Sequence, residues 1–379
     1  MTAQLTFLHT ADLQIGMAAP GLGPLASQVQ EARIASLKTI LKLGAERKVN
    51  FVIIVGDLFE TNQVSKKCAL EVVNILENAS PLLIFILPGN HDYYGPNSVY
   101  ARSEFLHLGK HVHIFSERKP YIIPDLDITF YPSPCFETRG NESPINWIKK
   151  QSGTKYHIAI VHGSIPSRFG GNQAEDEYFP MNEKELRNLG MDYIALGHWH
   201  SLHPDPKEES DSPFYYSGTP EPTGFGEKLS GFALLVELGE TGRKITPIYT
   251  SKYQFIDVQK TVASSTDIDS IQTELSNFPQ PENKLIRITL NGIISIALRE
   301  QIEQLVGEWN AKFPYVRLIE TGLLLEPSDS DLAEFMKGGI AQSTISLLQR
   351  KRDAANSSDK AKYARAISLT YRAFKGHLS

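Results

Sequence analysis

The sequence predicts an α/β protein with a two-sheet β-sandwich core flanked by helices, followed by a small α/β cap and a C-terminal helical tail. Three observations predict it. Through the first 250 residues, short apolar runs that end abruptly in polar residues alternate with amphipathic stretches. Other runs in the same region are shorter and separated by turns. Beyond residue 250 the pattern changes to a compact strand–helix–strand–helix–strand unit and then to two helical stretches.

Taken in order, the apolar runs are LTFLHTAD (5–12), FVIIVGD (51–57), LLIFILPGNHD (82–92), YHIAIVHG (156–163) and MDYIALGHWH (191–200). Near-continuous Val, Ile and Leu bounded by Gly, Pro or Asn reads as strand buried on both faces. Between the first two runs, Ile34, Leu37, Ile40 and Leu41 recur at helical spacing. Between the second and third, SKKCALEVVNILENA is again amphipathic, with Ser65 placed to cap it. Strand–helix alternation implies a sheet covered by helices. The runs YIIPDLDITFYPSP, PFYYSG, GFALLVEL and KITPIYT read instead as antiparallel sheet. Two sheets with helices outside accommodate both kinds.

The domain boundaries predicted are 1–250, 251–327 for the cap and 328–379 for the tail. In the cap, KYQFIDVQ, KLIRITLN and YVRLIETG are the strands, with helices near 267–277 and 295–311. In the tail, Ser330 is placed to cap a first helix near 331–350, and a second spans about 359–376. Leu332, Phe335, Met336, Ile340, Ile345 and Leu348 form one apolar face; Ala366, Ile367, Leu369, Tyr371 and Phe374 form another.

The chain of 379 residues is long enough to bury a full core without staples, and its 41% hydrophobic and 21% charged composition is globular. Two cysteines, Cys68 and Cys135, form no disulfide framework and no thiolate zinc motif. No charged-then-apolar leader and no apolar run near the ~18 residues of a membrane helix occur, so a soluble, cytoplasmic protein with no membrane partner is expected. The net charge of −5 excludes nucleic-acid binding by bulk charge alone. It is unevenly spread: from residue 331 onward nine Lys and Arg face four acids.

Each of the five buried runs ends in a group able to bind metal or carry a proton: Asp12 and Gln14, Asp57, Asn90-His91-Asp92, His162, and His198 with His200. One aspartate after a strand is usually a turn former, and one histidine usually a core or surface residue. Five successive strand ends carrying such groups, gathered where α/β sheets build their sites, form a convergent cluster. Imidazole and carboxylate without thiolate suit Mn, Fe, Zn or Ni. Seven donors exceed the needs of one ion, so two divalent cations sharing a bridging carboxylate are expected, able to clamp an attacking hydroxide and a phosphoryl oxygen.

In that order the motifs resemble the calcineurin-like metallophosphoesterases. HTADLQIG, VGDLFE, LPGNHD, IVHGS, YIALGHWH and YSGTPEPTGFGE look further like the DNA-repair exonuclease branch, the SbcD-type nuclease subunit that works with a coiled-coil ATPase. The resemblance covers about residues 5–238 and implies a four-layer sandwich. It implies that Asp12, Gln14, Asp57 and His200 hold one ion, and that Asp57, Asn90, His162 and His198 hold the second, with Mn²⁺ the expected metal. It makes His91 the acid that touches the phosphate and protonates the leaving oxygen, with Asp92 set to orient it. It implies 3′–5′ exonuclease or endonuclease activity on DNA and an SbcC-type ATPase partner gripped by the C-terminal helices; a homodimer would double a basic track for DNA. The sequence has no Gly-x-x-x-x-Gly-Lys-Ser/Thr loop, so another subunit would supply ATP.

The chain departs from the family pattern at one position. The Asp-x-His motif here reads Asp12-Leu13-Gln14, and His9 is no substitute. A glutamine carbonyl is a weaker donor than imidazole for first-row ions, so the first ion is expected to be held loosely. Two other readings stay open: a phosphoesterase acting on nucleotides or other small molecules, and a catalytically weakened scaffold.

Overall fold

In a computed structural model of the chain, residues 4–167, 178–205, 207, 211–240, 242–326 and 339–375 are described. They fall into two compact units, Met1–Gln254 and Phe255–Ser379.

The first unit holds two sheets. Strands β1 (Leu5–Thr10), β2 (Phe51–Val55), β3 (Leu83–Leu87) and β4 (Val112–Ile114) run parallel to one another. The hairpin of β10 (Phe232–Gly239) and β11 (Gly242–Tyr249) extends that sheet antiparallel beyond β1. The second sheet, in order, is β5 (Tyr121–Ile123), β6 (Ile128–Ser133), β7 (Tyr156–His162), β8 (Tyr193–Gly197) and β9 (Phe214–Tyr216). Here β6 and β9 pair parallel with β7 and β8, against the antiparallel expectation for their sequences. Both are fully buried. Their outer-face residues Tyr131, Phe214 and Tyr216 join a core under a helical layer, as parallel edges do.

Alternation along each strand divides the apolar residues between two interfaces. Phe51, Ile53 and Val55 of β2 face the second sheet, where they meet Phe130, Ile158 and Ile160. Val52 and Ile54 point the other way, onto Leu37, Ile40 and Leu41 of α1 (Ala26–Glu46) and Val72 and Leu76 of α2 (Lys66–Glu77). A strand covered on both faces has no polar side to show, hence its uninterrupted apolar sequence. Ser65 caps α2, accepting from the Cys68 N–H at 3.2 Å. On the far face of the second sheet, Leu186 of α3 (Glu183–Asn188) packs with Ala159, Val161, Ile194 and Leu196.

The second unit is a three-stranded sheet in the order β12 (Gln254–Val262), β13 (Lys284–Ile294), β14 (Tyr315–Leu325). Helices α4 (Ser265–Ser276) and α5 (Ile296–Lys312) pack Ile268, Ile271, Leu275, Ile302 and Trp309 against Ile286, Ile288 and Leu290. Helices α6 (Ile340–Ala354) and α7 (Ser357–Lys375) pair through Ile345, Ile367 and Tyr371, with Leu348 and Ile296 alongside. Ser368 accepts the Leu325 N–H at 3.0 Å, and Arg352 pairs with Glu326, which ties the tail helices to the end of β14. Ser330, Leu332, Phe335 and Met336 lie outside the described residues, as does the side chain of Phe374.

Phe51 sits where the sheets meet, stacked on Phe7 at 4.7 Å and edge-on to Phe85 and Phe130 at 5.6 and 5.3 Å. Truncating it leaves a cavity between two rigid layers. Phe51→Ala is expected to cost about 3–5 kcal/mol of unfolding free energy, read as a lower urea midpoint at unchanged slope.

Candidate metal centre

The parallel strands end together, and the backbone beyond them is built for close approach. Asp12 and Asp57 follow β1 and β2, and the two loops keep pairing: Asp12 N–H donates to Gly56 O at 3.1 Å and Gln14 N–H to Asp57 O at 2.9 Å. Asp12, Gln14, Asp57 and His198 all have positive φ, at 54, 51, 51 and 106°. Such backbone is unfavourable for residues with a Cβ and gathers at functional sites, where surrounding structure over-determines it. Two glycines make the crowding possible. A Cβ on Gly89 would lie 2.2 Å from Asp57 Oδ1, and one on Gly197 would lie 1.8 Å from Val55 O.

Those constraints bring Asp12, Asp57 and His162, all buried, to a point where one ligand atom from each lies within 4.8 Å of the others. His162 Nδ1 donates to Val55 O at 3.1 Å, so Nε2 is the nitrogen turned inward, 2.9 Å from Asn90 Oδ1 and 3.5 Å from Asp57 Oδ2. Burial opposes charge on both partners, but each supplies the other's counter-ion. The Asp57 carboxyl is held below its ordinary range, and the His162 imidazole is raised to about 9. Asp12 goes the other way: burial pushes it up despite the three neighbouring imidazoles. Both its oxygens accept the His198 N–H, at 3.1 and 3.0 Å.

His200 is oriented from behind. Its Nδ1 donates to Glu227 Oε1 at 3.0 Å, which frees Nε2 for a ligand role, and Glu227 is held in turn by the hydroxyl and N–H of Thr223. Burial of His200 works against protonation, yet Glu227 and Asp12 raise its pKa. Gln14 lies in the same cluster, 2% exposed, with Nε2 donating to Asp57 Oδ2 at 3.0 Å. Its carbonyl Oε1 is buried without a hydrogen-bond partner, a state that costs about 1–3 kcal/mol unless something electrophilic completes it.

The structure thus brings Asp12, Asp57 and His162 to one point, with Gln14 and Asn90 hydrogen-bonded to them and His198 and His200 on the wall of the adjoining cleft, and this donor set fits divalent cations. Ligands about 2.1 Å from a shared ion lie roughly 3–4 Å apart, close to the spacing of Asp12, Asp57 and His162. A second test is the orphaned Gln14 oxygen. Beside these groups opens a cleft of about 450 Å³, lined by Asp57, Asn90, His91, His198 and His200 with Tyr178, Trp199 and Phe225. A larger cavity of about 590 Å³ lies at the opposite end of β2 and β3, among Leu41, Val49, Ile75 and Leu82, far from any of these donors.

His91 stands at the cleft with Nδ1 donating to Glu60 O at 2.8 Å and the Glu60 carboxylate 3.9 Å away. Asp92 does not orient it. Asp92 is buried and accepts N–H groups from Asp57, Phe59 and Gly89 and the Tyr100 hydroxyl, at 3.2, 3.1, 2.7 and 2.5 Å. It buckles the loops after β2 and β3 together, and burial with nearby Asp57 raises its pKa to about 6. His9 is no ligand either: it bonds Tyr193 OH at 2.9 Å inside the core, and burial lowers its pKa to about 3. Sequence reasoning missed Glu60, Tyr100, Thr223 and Glu227. Glu60 carried a signal as the last residue of VGDLFE, and Thr223 and Glu227 as part of YSGTPEPTGFGE; Tyr100 carried none.

Three outcomes follow from this geometry. Metal must displace the His162 proton, so uptake below pH about 9 releases it, and affinity rises about tenfold per pH unit toward that value. Calorimetric titration in buffers of different ionisation enthalpy reads the released proton. In metal-free protein the raised His162 pKa adds stability that is full below about pH 6.5 and lost as pH climbs through about 9. Glu227→Gln is expected to weaken metal binding about 10–100-fold without unfolding the chain, measured by equilibrium dialysis.

A model of the family described as calcineurin-like phosphoesterase matches residues 5–202, which hold every predicted ligand. The chain is 26% identical over 211 residues to the uncharacterized metallophosphoesterase YhaO of Bacillus subtilis, a match covering 53% of this chain and 50% of that protein. The chain thus aligns with about half the length of that relative. The crystal structure of calcineurin-like phosphoesterase YfkN from Bacillus subtilis is similar at 14% identity and a TM-score of 0.35, covering 64% of this chain and 88% of the other. With its family match spanning more than half of the sequence and ending beyond Gly-His-x-His, the chain belongs to the calcineurin-like phosphoesterase family.

Proposed function

We propose that the chain is a metal-dependent DNA nuclease subunit that hydrolyses phosphodiester bonds at a dinuclear centre and works in repair or recombination with a coiled-coil ATPase. The observation that carries the phosphoesterase part is the convergence of Asp12, Asp57 and His162 within 4.8 Å, beside a cleft that also presents His91. The nuclease part is supported by the run of six sequence motifs and by the separate unit with its helical pair that follows them.

Bound between these ligands, a pair of divalent cations such as Mn²⁺ supplies Lewis-acid activation of water and of the phosphoryl oxygen. The protein does the rest. Asn90 and Gln14 are neutral donors and add no negative charge where a phosphate docks. With Nδ1 spent on Glu60 O, His91 has Nε2 available to protonate the departing ester oxygen as the P–O bond breaks. The Glu60 carboxylate stands 3.9 Å from the ring. Trp199 and Phe225 on the cleft wall help exclude bulk water.

The partner reading rests on α6 and α7. Ile345, Ile367 and Tyr371 are consumed in their mutual packing, whereas Ile340, Leu347 and Leu369 are exposed beside Arg350 and Lys351. An apolar stripe flanked by bases suits an acidic, amphipathic helix. No described helix is long and apolar enough to cross a membrane.

The test offers linear duplex DNA, single-stranded DNA and bis(p-nitrophenyl) phosphate to the Mn²⁺-loaded protein. DNA is expected to be degraded, and His91→Ala is expected to lower kcat by about 10²–10⁴ with metal stoichiometry unchanged. Turnover of the small ester with DNA left intact would assign the site to small phosphoesters instead.

A further inference from the structure

We infer that Gln14 makes the two metal sites fill in sequence, because its amide occupies the Asp57 lone pair that a second cation needs. The inference rests on the dinuclear reading above and concerns its least typical ligand. Asp57 is the shared carboxylate, and both its oxygens already carry N–H donors. The His91 backbone donates to Oδ1 at 2.9 Å, and Gln14 Nε2 donates to Oδ2 at 3.0 Å.

The two sides of Asp57 are not equivalent. On one side His162 Nε2 stands 3.5 Å from Oδ2 and is itself a ligand atom that a cation takes up. On the other side the group is an amide hydrogen, which does not leave. An amide has a donor end and an acceptor end, so Gln14 cannot donate to Asp57 and offer its oxygen in the same direction. Half a turn about the terminal side-chain bond exchanges them. The acceptor which that turn would deliver is the Oε1 atom, buried and without a partner.

Nothing else in the residue is free to adjust. The Gln14 backbone is pinned by its N–H bond to Asp57 O at 2.9 Å, its φ is 51°, and the side chain is 2% exposed. A second cation must therefore break the Gln14–Asp57 hydrogen bond before it gains the Gln14 ligand. The ion on the Asp57, Asn90, His162 and His198 side, which enters before the one beside Gln14, meets no such barrier. An imidazole at position 14 can turn its bare nitrogen inward, and a carboxylate has no donor at all.

Electron paramagnetic resonance during Mn²⁺ titration tests this in wild type, Gln14→His and Gln14→Glu. Wild type is expected to show an isolated-ion spectrum at one equivalent, with the second ion at least about tenfold weaker. In both variants the spectrum is expected to become that of a coupled pair by two equivalents. Unchanged binding of the first equivalent shows that each variant is folded. Two equal sites in wild type overturn the inference, as does a second site that neither variant tightens. No Mn²⁺ bound by any of the three overturns the dinuclear reading and the inference together.

Discussion

Two carboxylates, Asp12 and Asp57, are buried side by side at the ends of adjacent parallel strands, and most of what surrounds them answers to that fact. Like charges in a dry interior are costly unless compensated. Without metal, the compensation on view is His162, whose imidazole gains a proton because Asp57 faces it. A proton is a single charge, and Asp12 is left with a carboxyl pushed up by burial. Divalent cations meet the same need more fully and suit the donors that ring the pair. The site is thus a place where the fold holds negative charge in readiness, and the strand ends, glycines and left-handed residues are the means of holding it.

A wider ring of polar groups keeps those means in place. Asp92 ties the loops after β2 and β3 through three backbone N–H groups and Tyr100. Glu227 and Val55 O fix which nitrogen His200 and His162 present. Farther out, buried Arg33 donates to the carbonyls of Leu13, Glu221 and Pro222, while the Glu221 carboxylate accepts from Ser36 and from the N–H groups of Lys252 and Tyr253. That network joins α1, the loop behind Asp12, and the 217–227 loop that carries Glu227. Burial lowers the Arg33 pKa and raises that of Glu221, and each carries the other's countercharge. Rigidity here matters because a ligand out of place loses its share of metal affinity.

The parts of this legible in sequence are those written over short spans. Strands buried on both faces show as unbroken apolar runs, and the polar residue that ends each run names the donor. The backbone twist at Asp12, Gln14, Asp57 and His198 is not legible, since only Gly56, Gly89 and Gly197 hint that chains pass close by. Nor are the supporting contacts: Glu227 reaches His200 across 27 residues and Glu60 reaches His91 across 31. Asp92 shows how proximity in sequence misleads. Adjacent to His91, it points into the protein, because a buried N–H cluster draws an acceptor more strongly than a neighbour at the cleft. The parallel pairing of β6 and β9 was hidden for a similar reason, as register depends on which sheet closes over a strand.

Charge separates what Gln14 changes from what it leaves alone. Glutamine and neutral histidine carry the same charge, so the two carboxylates Asp12 and Asp57 remain the only formal negative charges among the seven donors. Against the two dications proposed above that leaves a positive balance, which an anionic phosphoester needs in order to dock. The attraction between site and substrate therefore survives the change. What alters is the direction of a dipole: an N–H faces the shared carboxylate where a lone pair is wanted, and the lone pair is turned into a dry corner. Such a change acts on occupancy and leaves the strands, the Asp57–His162 pair and the His91–Glu60 bond as they are. On the dinuclear reading proposed above, a protein built this way keeps the architecture of its family while making the full metal complement depend on how much cation is available.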